Sequence, residues 1–154
     1  KVINDLGRNY VTVSDIQKFS PGKSSAATKY MYRLAHDNVD FWANLEWMMG
    51  AQRMWSFINK YDAHILSAYS TKDPNSRKGK LAWLKKNAKL TKKSRIHLVL
   101  RADKQKFAMI NNKPNLLIDD YIKNIHEWEA KGGVGIHHTD PTTTLAELKR
   151  LGFK

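Results

Sequence analysis

Asp119 and Asp120 stand side by side at the end of an apolar run, Asn115-Leu116-Leu117-Ile118. Two adjacent carboxylates there repel one another and each resists burial. A bound divalent cation relieves that cost, and hard oxygen ligands with open positions suit Mg²⁺. Ser67 ends a second apolar run, Ala63-His64-Ile65-Leu66, and is followed by the small Ala68. Arg101 and, after it, Lys104 follow a third run, Ile96–Leu100. A hydroxyl and an ammonium beside carboxylates suit a phosphoryl group. The plainer role of Asp119-Asp120 is to cap the next helix. Capping accounts for one Asp well, but not for two after a buried strand.

These groups converge only if the runs are neighbouring parallel strands. The pattern alternates helix and strand. Short helical stretches are expected at Ser14–Phe19, before Ser20-Pro21-Gly22-Lys23, and at Ser24–Asp37. Phe41–Met49, rich in Trp and Met, is ambiguous. Ala51–Tyr61 reads as a helix with Met54, Trp55 and Ile58 on one face. Ala63–Ala68 reads as a buried parallel strand. Asp73-Pro74-Asn75-Ser76 reads as a turn, and Arg77–Asn87 as a basic helix with Leu81 and Leu84 inward. Strands at Ile96–Leu100, Asn115–Ile118 and Val134–His137 follow. Helices are expected at Tyr121–Ala130, closed by Gly132-Gly133, and at Thr142–Leu151, with Asp140 or Thr142 as cap. The fold class is therefore α/β, a parallel sheet with helices on both faces. Functional residues of such sheets lie beyond the carboxyl ends of the strands.

The 154 residues fit one domain, and 42% apolar content suffices for one core. Five Trp, six Tyr and five Phe exclude a chain that stays unfolded. No apolar run approaches the ~20 residues of a membrane span, so no membrane partner is expected. Without cysteine there are no disulfides, no thiol catalysis and no Cys-ligated metal. That usage fits a reducing, cytoplasmic setting. The net charge is +13, and Lys72–Lys106 holds thirteen basic residues against two acidic ones. Such a field concentrates phosphates, on a nucleotide or on a nucleic acid, while a solvated helix face explains many of these lysines equally well.

In family order and spacing, several stretches over roughly residues 38–151 resemble the haloacid-dehalogenase-like phosphatase superfamily. The nearest branch is the 5'-nucleotidase or deoxyribonucleotidase type. The stretches are Asp40-Phe41-Trp42-Ala43-Asn44-Leu45-Glu46-Trp47, His64-Ile65-Leu66-Ser67-Ala68, Lys80-Leu81-Ala82-Trp83-Leu84, Val99-Leu100-Arg101-Ala102-Asp103-Lys104, Leu116-Leu117-Ile118-Asp119-Asp120 and Gly132-Gly133-Val134-Gly135-Ile136-His137-His138. The resemblance implies a three-layer, Rossmann-like fold with a small helical cap at about residues 20–60 and core strands and helices at 61–154. It implies a Mg²⁺-dependent phosphatase acting on nucleoside 5'-monophosphates. Ser67, with Ala68, would hold the transferring phosphoryl group. Lys104 would steady its charge, with Lys106 as the alternative if the loop register differs. Asp119 and Asp120 would hold Mg²⁺. Trp42 and Trp47 fall near the cap, where an aromatic ring would stack on a base, although core packing is the commoner fate of a Trp.

The family's nucleophile, the first Asp of an Asp-x-Asp-Gly motif, has no counterpart. Asn4-Asp5-Leu6-Gly7 is the nearest match and lacks the second Asp and a preceding buried strand. By this alignment Lys1 falls just after the motif, so the first, central strand is expected to be absent and to leave two unpaired strand edges. An upstream piece, a partner chain or a lost motif would each explain this. As written, the chain is expected to be inactive through an aspartyl-phosphate. The alternative is a fold relative without its nucleophile, binding nucleic acid through residues 72–106 or serving as a subunit of a larger assembly. His137-His138 point to opposite faces of a strand, which disfavours joint metal ligation. His64 and His97 read as ordinary strand residues.

Overall fold

The computed structural model describes residues 40–154 together with Arg33 and His36. The expected helices before residue 40, most of the expected cap, and Asn4–Gly7 lie outside the described residues.

Four α-helices and six strands are described. Helix α1 is Ala51–Ile58, after Gly50, whose φ of 76° is the left-handed turn that opens it. Strand β1 is Ile65–Ala68 and helix α2 is Pro74–Lys86. Strand β2 is Ile96–Val99, and a 3₁₀ stretch, Arg101–Phe107, follows it. Strands β3, Met109–Ile110, and β4, Lys113–Pro114, form a hairpin. Strand β5 is Leu116–Asp119, helix α3 Ile122–Glu129, strand β6 Val134–His137 and helix α4 Pro141–Arg150.

Helix α2 starts earlier than the sequence pattern suggests. Asp73-Pro74-Asn75-Ser76 is not a free turn: the Asp73 carboxylate accepts from Asn75 N–H at 3.0 Å and Pro74 takes the first helical position. This also corrects the inward face. Ser76, Gly79 and Leu84 are buried, whereas Leu81 is exposed. Gly79 lets the chain at Trp42 pass so close that a Cβ would meet Trp42 Cβ at 2.6 Å. Helix α4 begins as expected, with the Asp140 carboxylate accepting from Thr143 N–H at 2.8 Å. The hairpin was not anticipated. Its turn residues Asn111 and Asn112 take φ of 51° and 59°, the conformation that a two-residue turn of this hand requires.

The fold is mixed α/β. Strands β1 and β2 are parallel, with Ile65 opposite Ile96 and Ser67 opposite Leu98. Strands β5 and β6 are parallel, with Leu116 opposite Val134 and Asp119 opposite His137. Among the described residues β1 has no partner but β2, and β5 none but β6. A cleft of about 680 Å³ lies between the two pairs. It touches Ile65 and Leu66 in succession on one side, and Leu116, Leu117 and Ile118 in succession on the other. Successive strand residues point to opposite faces. The cleft therefore runs along the open edges of β1 and β5, not over a face.

Three groups of buried side chains flank these strands. Leu84, Ala88 and Leu90 pack beside β1 and β2, joined by Ile65, Ile96 and Trp55. Ala108, Leu117, Ile125 and Trp128 lie beneath β5, with Leu66 reaching across. Ile136, Leu145 and Leu148 cover the opposite face, joined by Leu116 and Ile118 and by Met54, Phe57 and Ile58. Helix α1 thus serves two groups: Trp55 on one side, and Met54, Phe57 and Ile58 on another.

Candidate functional site

The carboxyl ends of β1 and β5 deliver Ser67 and Asp119, and the 3₁₀ stretch after β2 delivers Lys104. Lys104 Nζ lies 2.6 Å from Asp119 Oδ2, with the two side chains 11% and 6% exposed. Asp119 Oδ1 also accepts from Tyr121 N–H at 2.9 Å, and Asn124 Nδ2 donates to both carboxylate oxygens at 3.0 and 3.1 Å. Burial by itself would raise the Asp119 carboxyl. The bonds from Lys104, Tyr121 and Asn124 outweigh it and hold the group below its ordinary range.

Ser67 meets a cation that the sequence reading did not single out. Lys80 Nζ, from α2, lies 3.4 Å from Ser67 Oγ and 2.5 Å from the Ala68 carbonyl oxygen. It also stands 4.8 Å from the centre of the Trp42 ring. Trp42 in turn donates its indole N–H to buried Asp73 Oδ2 at 2.5 Å. Asp73 thus starts α2 and holds the indole under the ammonium. Burial, and then the like charge of Lys104, lowers the Lys80 ammonium below the ordinary lysine range. The two cations stand at the carboxyl ends of two separate parallel pairs, Lys80 beside the Ser67 hydroxyl and Lys104 on the buried Asp119 carboxylate.

The other expected residues are placed differently. Asp120 is exposed, and its backbone carbonyl lies 3.0 Å from His137 Nε2. Lys106 is 72% exposed and pairs with Asp103 at 2.7 Å, so it stands outside the cluster. Trp47 packs edge-on against Trp83, centroids 4.7 Å apart, among Leu84, Ala88 and Leu90. It is a core residue of the β1–β2 half. Arg101 turns to Glu127 at 2.8 Å and to Asn124 Oδ1 at 3.0 Å, and so steadies the amide that holds Asp119. His137 and His138 diverge as expected: His138 Nδ1 lies 2.7 Å from Thr144 Oγ1.

Asp119 and Asp120 suit Mg²⁺ in kind, since both offer hard oxygens. Among the described residues, however, no group of three or more His, Asp or Glu could hold a metal. Both Asp119 oxygens already accept protein hydrogen bonds. The described residues thus supply two acidic ligands at most, and the remainder must be substrate, water or another carboxylate. Among them, too, no helix is long and apolar enough to cross a membrane.

Lys80 and Asn124 are the functional candidates that sequence reasoning missed. No family model, curated protein or solved structure matches the chain, so the reading below stands on these residues and on the resemblance described above.

Proposed function

We propose that the chain is the phosphate-binding body of a Mg²⁺-dependent phosphatase of the haloacid-dehalogenase type, acting on nucleoside 5'-monophosphates. In this reading the parallel pairs are parts of one three-layer sheet with a small cap before it. The carrying observation is a cation at each of two strand ends, Lys80 beside the Ser67 hydroxyl and Lys104 on buried Asp119, with the charge of Lys104 felt at Lys80.

The Ser67 hydroxyl donates to one phosphoryl oxygen. Lys80 and Lys104 neutralise the charge on the others, in a setting where charge-assisted bonds are strong. Asn124 and Tyr121 N–H keep Asp119 ionised and aimed once Lys104 turns to the phosphate. Asp119 and Asp120 would hold Mg²⁺, which supplies Lewis-acid neutralisation of phosphate charge when bound. Trp42, beneath Lys80, positions the ammonium rather than a base. The 154 residues hold no Asp-x-Asp-Gly motif. They are assigned binding and orientation, and turnover is assigned only to a polypeptide that adds that motif.

The test is a titration of the chain with nucleoside 5'-monophosphates, with and without Mg²⁺, followed by a phosphate-release assay on a polypeptide carrying the motif. Saturable binding, weakened by Ser67→Ala, and Mg²⁺-dependent release, lost with Asp119→Asn, are expected. If the nucleotide does not bind, or binds as well after Ser67→Ala, the reading is wrong.

A second reading rests on a different surface. Lys72, Arg77, Lys78, Lys85, Lys86, Lys89, Lys92 and Lys93 are exposed and form no ion pair with a described residue. This face would hold nucleic acid without base readout. A steep loss of affinity with salt, equal for unrelated sequences, would favour it.

A further inference from the structure

We propose that the Ser67–Lys80 site takes the 5'-terminal phosphate of a short single-stranded nucleic acid, whose next phosphate lies on Arg77 beside Tyr69. The inference rests on the phosphate site proposed above and names the substrate class it serves: a strand end, not a free nucleotide.

Helix α2 carries both cations. Arg77 and Lys80 are three residues apart and so share one side of the helix. Their settings differ. Lys80 is half-buried, with its ammonium 2.5 Å from the Ala68 carbonyl oxygen and 4.8 Å from the centre of the Trp42 ring. An internal phosphodiester, flanked by a sugar on each side, does not enter such a recess. A phosphate that ends a chain does, and it brings a second negative charge. Arg77 is exposed and suits the other task. Its guanidinium stands 5.6 Å from the centre of the Tyr69 ring and forms no ion pair with a described residue. A planar fork held on an aromatic face grips a phosphodiester through two N–H donors, and a base can join the stack.

Tyr69 connects the two settings. Its N–H donates to the Val99 carbonyl oxygen at 3.1 Å, one step beyond the last β1–β2 pair, Ala68 opposite Val99. It therefore continues the extended course of β1 and falls on the same side as Ser67. A strand that ends at Ser67 and Lys80 passes Tyr69 and Arg77 as it leaves. The charge of the chain points the same way. A nucleoside monophosphate carries about two negative charges, which Lys80 and Lys104 suffice to balance. Thirteen basic residues against two acidic ones over 72–106 go far beyond that need and match a polyanion. A single strand fits better than a duplex, because its first base is unpaired and free to lie against Tyr69.

The test titrates the 154-residue chain calorimetrically, at one fixed salt concentration with Mg²⁺, with three probes. These are thymidine 5'-monophosphate, a thymidylate tetramer with a 5'-phosphate, and the same tetramer with a 5'-hydroxyl. The 5'-phosphorylated tetramer should bind about tenfold or more tighter than either other probe. Arg77→Gln should lower its affinity about fivefold or more beyond the loss caused by Lys86→Gln, which removes an exposed cation further along α2. If the monophosphate binds as tightly as the phosphorylated tetramer, the proposal is overturned while the phosphate site stands. If the tetramer binds equally with and without its 5'-phosphate, it is overturned in favour of a general basic face. Equal losses from Arg77→Gln and Lys86→Gln also overturn it, leaving only the positive field. If neither phosphorylated probe binds, this inference and the phosphate site fall together.

Discussion

Lys104 and Asp119 form an ion pair of 2.6 Å at the carboxyl end of β5, both largely withdrawn from water. Attraction in such a place must offset the cost of dehydrating two charges, and it does so only while both partners are present. Lys104→Met would leave the Asp119 carboxylate buried with only neutral donors. We expect a loss of about 3 kcal/mol in folding stability at neutral pH, read by urea denaturation. A loss below about 1 kcal/mol would mean that the pair behaves as an exposed one.

Lys80 and Lys85 share helix α2 but not its surroundings. Lys80 reaches Ser67 and Ala68, whereas Lys85 is exposed. Lys80→Met should weaken nucleoside monophosphate binding roughly tenfold or more, the worth of one charge-assisted bond. Lys85→Met should leave it unchanged. Equal losses in the two variants would show that only the general positive field attracts the ligand.

His64 and His97 lie with rings stacked 5.2 Å apart and Nδ1 of the first 2.9 Å from Nε2 of the second. Burial, and then the charge His64 would carry, lower the His97 imidazole below its ordinary value of 6.5. The folded state therefore binds fewer protons than the unfolded state near that pH. Stability should be complete above pH 6.5 and decline as the pH falls through the lowered value. His97→Phe should flatten this part of the profile, measured as urea midpoints between pH 5 and 7.5. An unchanged slope would assign the acid sensitivity to other groups.

Gly79 faces the backbone of Trp42 and Ala43. A Cβ there would lie 2.6 Å from Trp42 Cβ and 3.3 Å from Ala43 N. Alanine favours the helix by about 1 kcal/mol, yet overpacking costs about 1–3 kcal/mol. Gly79→Ala should therefore destabilise the protein on balance and push the Trp42 ring away from Lys80. Thermal melts and Trp fluorescence would register both effects, and a raised midpoint would refute the close approach.

The strand runs were legible because each is apolar and ends on a polar residue, so Ser67 and Asp119 were found at strand ends before any geometry was known. Lys104 was legible as one of several cations after Leu100, and it was the resemblance that put it ahead of Lys106. Lys80 was not, because it sits among thirteen basic residues between 72 and 106 and charge alone does not separate a buried cation from a solvated one. The start of α2 was masked for a related reason: Asp73-Pro74 is as good a turn as it is a cap and first helical position. Leu81 misled because apolarity suggested the inner face, whereas Gly79 and its contact with Trp42 decide which side of α2 faces in. Asn124 gave no signal; its role arises only when α3 folds back against the end of β5.

Helix α1 touches the buried groups on both sides of the open cleft, through Trp55 towards β1 and β2 and through Met54, Phe57 and Ile58 towards α4. Across the cleft itself Leu66 is the strand side chain that reaches the other group. Cooperativity between the halves therefore depends on this eight-residue helix and on the 3₁₀ stretch after β2, whose Arg101 and Lys104 bond to α3 and to the end of β5. Loosening α1 together with Lys104→Met, which cuts the second link, would let the chain melt as two units at different temperatures.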